Sequence, residues 1–242
     1  MKNKKSLGQH WLKDRDILLD IADLADLEDT DTVVEIGPGL GTLTSALFQF
    51  FDKVVAIEKD DDLAKKLPFS FPGKDLAVIH KDVLDVKADE LPENYVLAGN
   101  IPYYITSPII DKFLSLDHKP KKIVLLMQKE VAERVAAKDG KQSVLSLNAQ
   151  MRSKVTLGPV VKRDFFVPPP KVDSQVVIFE PYQDKKIDDG LLDFIKTGFS
   201  KARKKLSANK TLLPLLEKAE VDKNLRPADL SLEDWQNLYA EK

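Results

Sequence analysis

Apolar positions along this chain follow two alternating patterns. Short, nearly continuous Val- and Ile-rich runs at 32–36, 53–57, 76–80, 95–99, 121–127 and 172–179 read as buried strands. The stretches between them read as helices, at 14–27, 42–47, from 60, 107–114, 128–135 and 143–151. In the first, Ile17, Leu18, Ile21, Leu24 and Ala25 recur at helical spacing, with Asp14 or Asp16 at the N-terminal end. Strand alternating with helix predicts an α/β sheet. From about 185 onward only helical periodicity remains. Phe194, Ile195, Phe199, Leu206, Leu212, Leu213, Leu215 and Leu216 can build a small helical domain there. Ser231 and Asp234 resemble a capping box before a last helix with Trp235 and Tyr239.

Polar groups cluster where these strands end. The first runs into Gly37-Pro38-Gly39-Leu40-Gly41 and then a helix, the opening of a nucleotide-binding unit. Its spacing is G-x-G-x-G, not the dinucleotide pattern, and Glu35 precedes it by two residues. Glu58 ends the second strand, 21 residues after Gly37. A carboxylate there can accept both hydroxyls of a ribose. Asp82, just past the third strand, can accept from an adenine amino group or hold a turn. The fourth strand ends in Asn100-Ile101-Pro102-Tyr103-Tyr104. An amide can offer its oxygen to an amine and a tyrosine can stack on a base, so this stretch points to chemistry on an exocyclic amino group.

Two further blocks have mixed character. Gln9-His10-Trp11-Leu12, read from its residues alone, either lines a cofactor pocket through Gln9 and His10 or, the favoured reading, is an N-terminal arm tied down by Trp11 and Leu12. Phe165-Phe166-Val167 precedes three prolines, 168–170, which set an extended segment. The aromatic pair beside Arg163 and Lys171 is either a stacking platform or core.

Composition narrows the class. The 242 residues are 43% hydrophobic and 31% charged, with no apolar run near the roughly 18 residues of a membrane span. The basic N-terminus has no apolar stretch behind it, so no secretory signal is expected. Absence of cysteine excludes thiolate sites and fits a reducing cytoplasm. Three unclustered histidines give no expectation of a metal site. Net charge is -2, yet residues 119–171 carry 12 Lys/Arg against 4 Asp/Glu, and 196–210 carry 6 and no acid. A basic face on an acidic body suits phosphate contacts.

Five blocks taken together resemble the ribosomal RNA adenine dimethyltransferases of the small-subunit type. They are 5–12, Glu35 to Gly41, Gly99 to Tyr104, 128–134 and Phe166 to Ser174, in family order over nearly the whole chain. The resemblance implies a Rossmann-like seven-stranded class I methyltransferase fold with one reversed terminal strand. It implies a methyltransferase domain over 1–182 and an all-helical RNA-positioning domain over 183–242. The implied cofactor is S-adenosyl-L-methionine, held by His10, Leu12, Gly37, Gly39, Glu58, Asp82, Val83 and Asn100. For His10 this reverses the reading from residues alone. The implied catalytic group is Asn100, Ile101, Pro102, Tyr103 and Phe166, with Tyr103 and Phe166 on opposite faces of the base. The implied reaction dimethylates the N6 groups of two adjacent adenosines near the 3′ end of 16S rRNA. The expected partner is the assembling 30S subunit, met in the cytoplasm by a monomer, with no membrane involved. Trp11 stands where the family usually has Phe, Ser143-Val144 replace its aromatic-Gly pair, and the tail is short. Alternatives are a large-subunit 23S rRNA enzyme conferring antibiotic resistance and a non-catalytic nucleic-acid-binding factor on the same fold. An NAD-dependent oxidoreductase fails on the glycine spacing.

Overall fold

The computed structural model describes residues 10–102, 105–138, 140–183 and 188–242. The described chain divides into two compact units: residues up to Ala132 with Lys154–Gln183, and Glu133–Ser153 with the residues from 188 on.

The first unit opens with β1 (Trp11–Leu12) and α1 (Arg15–Ala25). Asp14 caps that helix, its carboxylate accepting from the Ile17 amide at 3.1 Å. Then follow β2 (Thr32–Ile36), α2 (Thr42–Leu47), β3 (Lys53–Glu58), α3 (Asp61–Lys66), β4 (Asp75–His80), β5 (Val96–Asn100), α4 (Thr106–Ser115), β6 (Ile123–Gln128) and α5 (Lys129–Val135). After α6 (Val144–Arg152) come β7 (Ser153–Val161), β8 (Phe166–Val167) and β9 (Ser174–Pro181).

Seven strands form one sheet in the order β4-β3-β2-β5-β6-β9-β7. β2, β3, β4, β5 and β6 pair in parallel, and β9, the last strand of the chain, runs antiparallel to β6. This is the expected α/β architecture with its reversed strand. Central strands are buried along their whole length, as β2 is, because helices cover both faces. That explains their continuous apolar runs.

One strand was not anticipated. β7 has the sequence Ser-Lys-Val-Thr-Leu-Gly-Pro-Val-Val, broken by Gly158 and Pro159 and without a clean alternation. It lies at the sheet edge, where a proline costs no ladder bond on the open side. A second, two-stranded sheet joins β1 to β8 antiparallel, pairing Trp11 with Val167 and Leu12 with Phe166.

The second unit holds α6, α7 (Asp189–Phe199), α8 (Leu213–Lys218) and α9 (Leu232–Ala240). Its core centres on Trp235, fully buried and edge-on to Phe194 with ring centroids 6.0 Å apart. Ser231 and Asp234 form the anticipated capping box at α9. The expected division at 182/183 leaves α6 with the sheet. Here α6 groups with the helical tail, because Leu147 and Met151 are buried in the same cluster as Leu191, Ile195 and Trp235.

Candidate active site

Sheet order places β3 and β4 on one side of β2 and β5 and β6 on the other. A crevice therefore opens between β2 and β5 at their carboxyl ends, where open parallel sheets bind ligands. One cavity at that edge is lined by His10, Leu12, Gly37, Gly39, Glu58, Asp82, Val83, Asn100, Ile101 and Pro102. The residues from Gly37 to Pro102 meet because they stand at or just after the carboxyl ends of the parallel strands β2, β3, β4 and β5, and the N-terminal strand β1 brings His10 and Leu12 to them.

The glycine loop is held in a left-handed course. Gly39 has φ +57°, and a Cβ there would come within 3.0 Å of the Trp11 indole nitrogen. Gly41 has φ +80° and caps α2, and a Cβ there would meet Phe71 at 2.8 Å. Side chains are excluded at both on backbone and steric grounds. Gly37 also has positive φ, and the space beside its α-carbon is open.

Two acids flank this loop. Glu58 accepts from the Gly39 amide at 3.1 Å through one oxygen and from the Asp60 amide at 2.8 Å through the other. Burial raises its pKa, and these two amides pull it back down. Glu35, 1% exposed, accepts from the Thr44 hydroxyl at 2.6 Å. Burial pushes the Glu35 carboxyl up to about 8, opposed by the Thr44 hydrogen bond and reinforced by the charge of Glu58.

Asp82 fills the turn role weighed for it, and its second oxygen is engaged by a lysine. One oxygen accepts from the Leu84 amide at 3.0 Å and caps a 3-10 turn; the other binds Lys59 Nζ at 2.7 Å. The Lys59 hydrogen bond is the main cause that holds its carboxyl below the ordinary aspartate range. Lys112 from α4 donates to the Leu84 carbonyl at 2.8 Å and so braces that turn.

Asn100 ends β5 with its side-chain nitrogen donating to the His10 carbonyl at 3.0 Å. The amide oxygen is then the end turned away from His10. His10 is itself fixed by its ring: Nδ1 lies 2.8 Å from the Pro168 carbonyl. A carbonyl can only accept, so Nδ1 carries the proton. Tyr103 and Tyr104 lie outside the described residues, as does Gln9.

Phe166 requires a correction. It is 1% exposed and lies in the main core cluster with Leu12, Leu18 and Val176; Leu12 and Leu18 line the cavity, and Phe166 itself does not. Its ring faces are covered by apolar side chains, so in this conformation neither is open to a base. Phe165, 39% exposed, is the solvent-facing member of the pair.

Reading the motifs missed Lys59 and Lys81, which also line the cavity. The available signal was position: each directly adjoins an acid at a strand end. Glu35 was noticed beside the glycines but given no role. In the second unit Lys196, Lys201, Arg203, Lys204, Lys205 and Lys210 are all exposed.

A family model described as "Ribosomal RNA adenine dimethylase" matches residues 1–242. The chain belongs to this family. It is 38% identical to the ribosomal RNA small subunit methyltransferase A of Dehalococcoides mccartyi, over 100% of this chain and 89% of that protein. Among solved structures it is similar to a dimethyladenosine transferase from Plasmodium falciparum, with 31% identity and a TM-score of 0.82 over 95% of this chain and 96% of that one. It is also similar to the 23S rRNA methyltransferase ErmE, with 26% identity and a TM-score of 0.78 over 96% of this chain and 98% of that one.

Proposed function

We propose that the protein uses S-adenosylmethionine to dimethylate the N6 amino groups of two adjacent adenosines near the 3′ end of 16S rRNA. The proposed setting is the assembling 30S subunit in the cytoplasm, with the enzyme acting as a monomer. The observation that carries this reading is Asn100. Its amide stands at the carboxyl end of a central strand, in the same cavity as Glu58 and Asp82. Among the described residues no helix is long and apolar enough to cross a membrane.

The cavity fits the cofactor by the chemistry of its groups. Both Glu58 oxygens take backbone N–H groups, and a carboxylate keeps further lone-pair capacity for the ribose hydroxyls. Asp82 and the Val83 backbone serve the adenine end, and the open space beside Gly37 admits the chain between. Lys59 and Lys81 add cationic donors at the same rim. When bound, the cofactor supplies an electrophilic methyl group on a sulfonium.

The protein's task is to make a poor nucleophile attack it. The adenine N6 lone pair is delocalised into the ring. The Asn100 side-chain carbonyl and the Ile101 backbone carbonyl accept its two N–H bonds and favour a pyramidal nitrogen whose lone pair points at the methyl. Held in line, the reactants gain the advantage of proximity. Pro102 stiffens the loop. The alkylated amine is a cation that sheds its proton readily, so no buried base is required. Tyr103 stacks on one face of the base. Phe166 can serve the other face only if β8 shifts and releases it from the core. A stack contributes roughly 1–3 kcal/mol, against a few kcal/mol to extrude the base.

In the test, labelled methyl is transferred to immature small subunits and the modified nucleotides are located. Asn100→Ala should abolish transfer while cofactor binding stays measurable; near-normal turnover would sink the assignment. The likeness to a 23S rRNA methyltransferase favours one second reading, the same chemistry on a large-subunit adenosine. Product mapping decides between the two. A non-catalytic binding factor would not need Glu58, Asp82 and Asn100 converging on one cavity.

A further inference from the structure

The N-terminal strand touches three separate parts of the site. Its pairing with β8 ties it to the proline segment, reinforced by the Lys13 amide donating to the Phe165 carbonyl at 3.3 Å. The Trp11 indole lies against Gly39 in the glycine loop. The His10 backbone carbonyl takes the Asn100 amide. Between them stands the His10 ring, donating to the Pro168 carbonyl across 158 positions of sequence.

An asparagine amide has two orientations of nearly equal shape, differing in which end is the acceptor. Only one suits an amine substrate. With the oxygen facing His10 and the NH2 facing the substrate, donor would meet donor and carbonyl would meet carbonyl. The choice is set by the His10 carbonyl, which rejects an oxygen and accepts an N–H. That carbonyl belongs to a residue just before a strand of two residues. The imidazole bond to Pro168 is therefore a direct restraint on its direction.

We propose that His10 is a positioning residue for methyl transfer: its ring, anchored on the Pro168 carbonyl, holds its backbone carbonyl against Asn100 Nδ2 and fixes which end of that amide faces the substrate amine. This rests on the reading of Asn100 as the amine acceptor. It is a separate task from the cofactor contact that the resemblance gives His10, and the two predict different kinetics. A cofactor contact changes cofactor affinity. A positioning contact lowers the rate at saturating cofactor.

The substitutions follow from geometry. In His10→Asn the side-chain nitrogen is the same number of bonds from the α-carbon as Nδ1, so a donor to Pro168 is kept. His10→Ala removes it, and His10→Gln puts it one bond too far out. Single-turnover methyl transfer at saturating cofactor would be measured on the full chain, with cofactor Kd and thermal midpoint for each variant. His10→Ala should slow transfer by about ten- to a hundred-fold, the cost of a misplaced reacting group. Its cofactor Kd should change by much less, and His10→Asn should restore most of the rate. If His10→Ala does not fold, His10→Gln is the lesion to compare with His10→Asn. An unchanged rate in the lesion overturns the proposal, as does a rate loss that extra cofactor repairs or equal rates in Asn and Gln. Asn100→Ala run alongside separates the two ideas. If it stays active, the reading of Asn100 fails; if it is dead while the His10 lesion is normal, only the role of His10 fails.

Discussion

The cofactor half and the base half of this site are built in different ways. The cofactor half is local. Its acids and glycines stand at or just after strand ends, and their hydrogen bonds span short stretches of sequence, 19 positions from Gly39 to Glu58 and 23 from Lys59 to Asp82. The base half is assembled from afar. Asn100 reaches His10 across 90 positions, and His10 reaches Pro168 across 158. A local half can keep its geometry while neighbouring segments shift, since strand ends and turns define it. A long-range half depends on every segment that closes around it.

The largest difference between the halves should come from the aromatic pair. Phe166→Ala, as a core deletion, should cost about 3–5 kcal/mol of stability, whereas Phe165→Ala, on an exposed ring, should lower the melting temperature little. Chemical denaturation of both variants checks this. A Phe166→Ala protein of normal stability but poor turnover would restore the ring to the base and redraw the boundary between the halves.

Glu58→Gln probes the local half. It keeps the shape and one acceptor, but turns an NH2 toward a backbone donor. Hydrogen bonds to charged groups are worth about 1.5–3 kcal/mol, so cofactor affinity should fall by about ten- to a hundred-fold. Titration calorimetry measures it. RNA affinity should stay unchanged; a parallel loss there would show that the halves are not separable.

The effect that varies with pH concerns Glu35. Its carboxyl is lifted from 4.5 to about 8, so between those values the native state holds a proton that the unfolded chain has released. Stability from this group is therefore full below about pH 4.5 and is lost progressively as pH rises from there to about 8. Glu35→Gln removes the titration. Without cofactor, the melting temperature of the variant relative to wild type should rise progressively between about pH 5 and about pH 8 and level off above that, by about 2–4 °C for each kcal/mol of penalty. A difference that is flat with pH would place Glu35 in a wetter environment than its burial indicates.

Much of the cofactor half was legible in the chain itself. Val-rich runs define strands because β-branched side chains suit a doubly covered sheet. Glycines at 37, 39 and 41 mark a left-handed turn that other residues resist. An acid after such a strand needs no distant partner to sit at the sheet edge. Edge strand β7 escaped notice because Gly158 and Pro159 blur its pattern, and an edge tolerates what a central strand does not. Helix α6 carries an apolar face, but nothing local says which core receives it.

The sequence by itself determined the order of the five parallel strands and the helices between them, the glycine loop, and the placing of Glu58, Asp82 and Asn100 at strand ends. These follow from backbone preferences and side-chain periodicity acting over a few residues. Tertiary structure alone decided that Phe166 is covered while Phe165 is open, that β1 lies on β8, and which way the Asn100 amide points. Those outcomes depend on which surfaces meet after the chain has closed. No periodicity encodes a hydrogen bond between residues 158 positions apart.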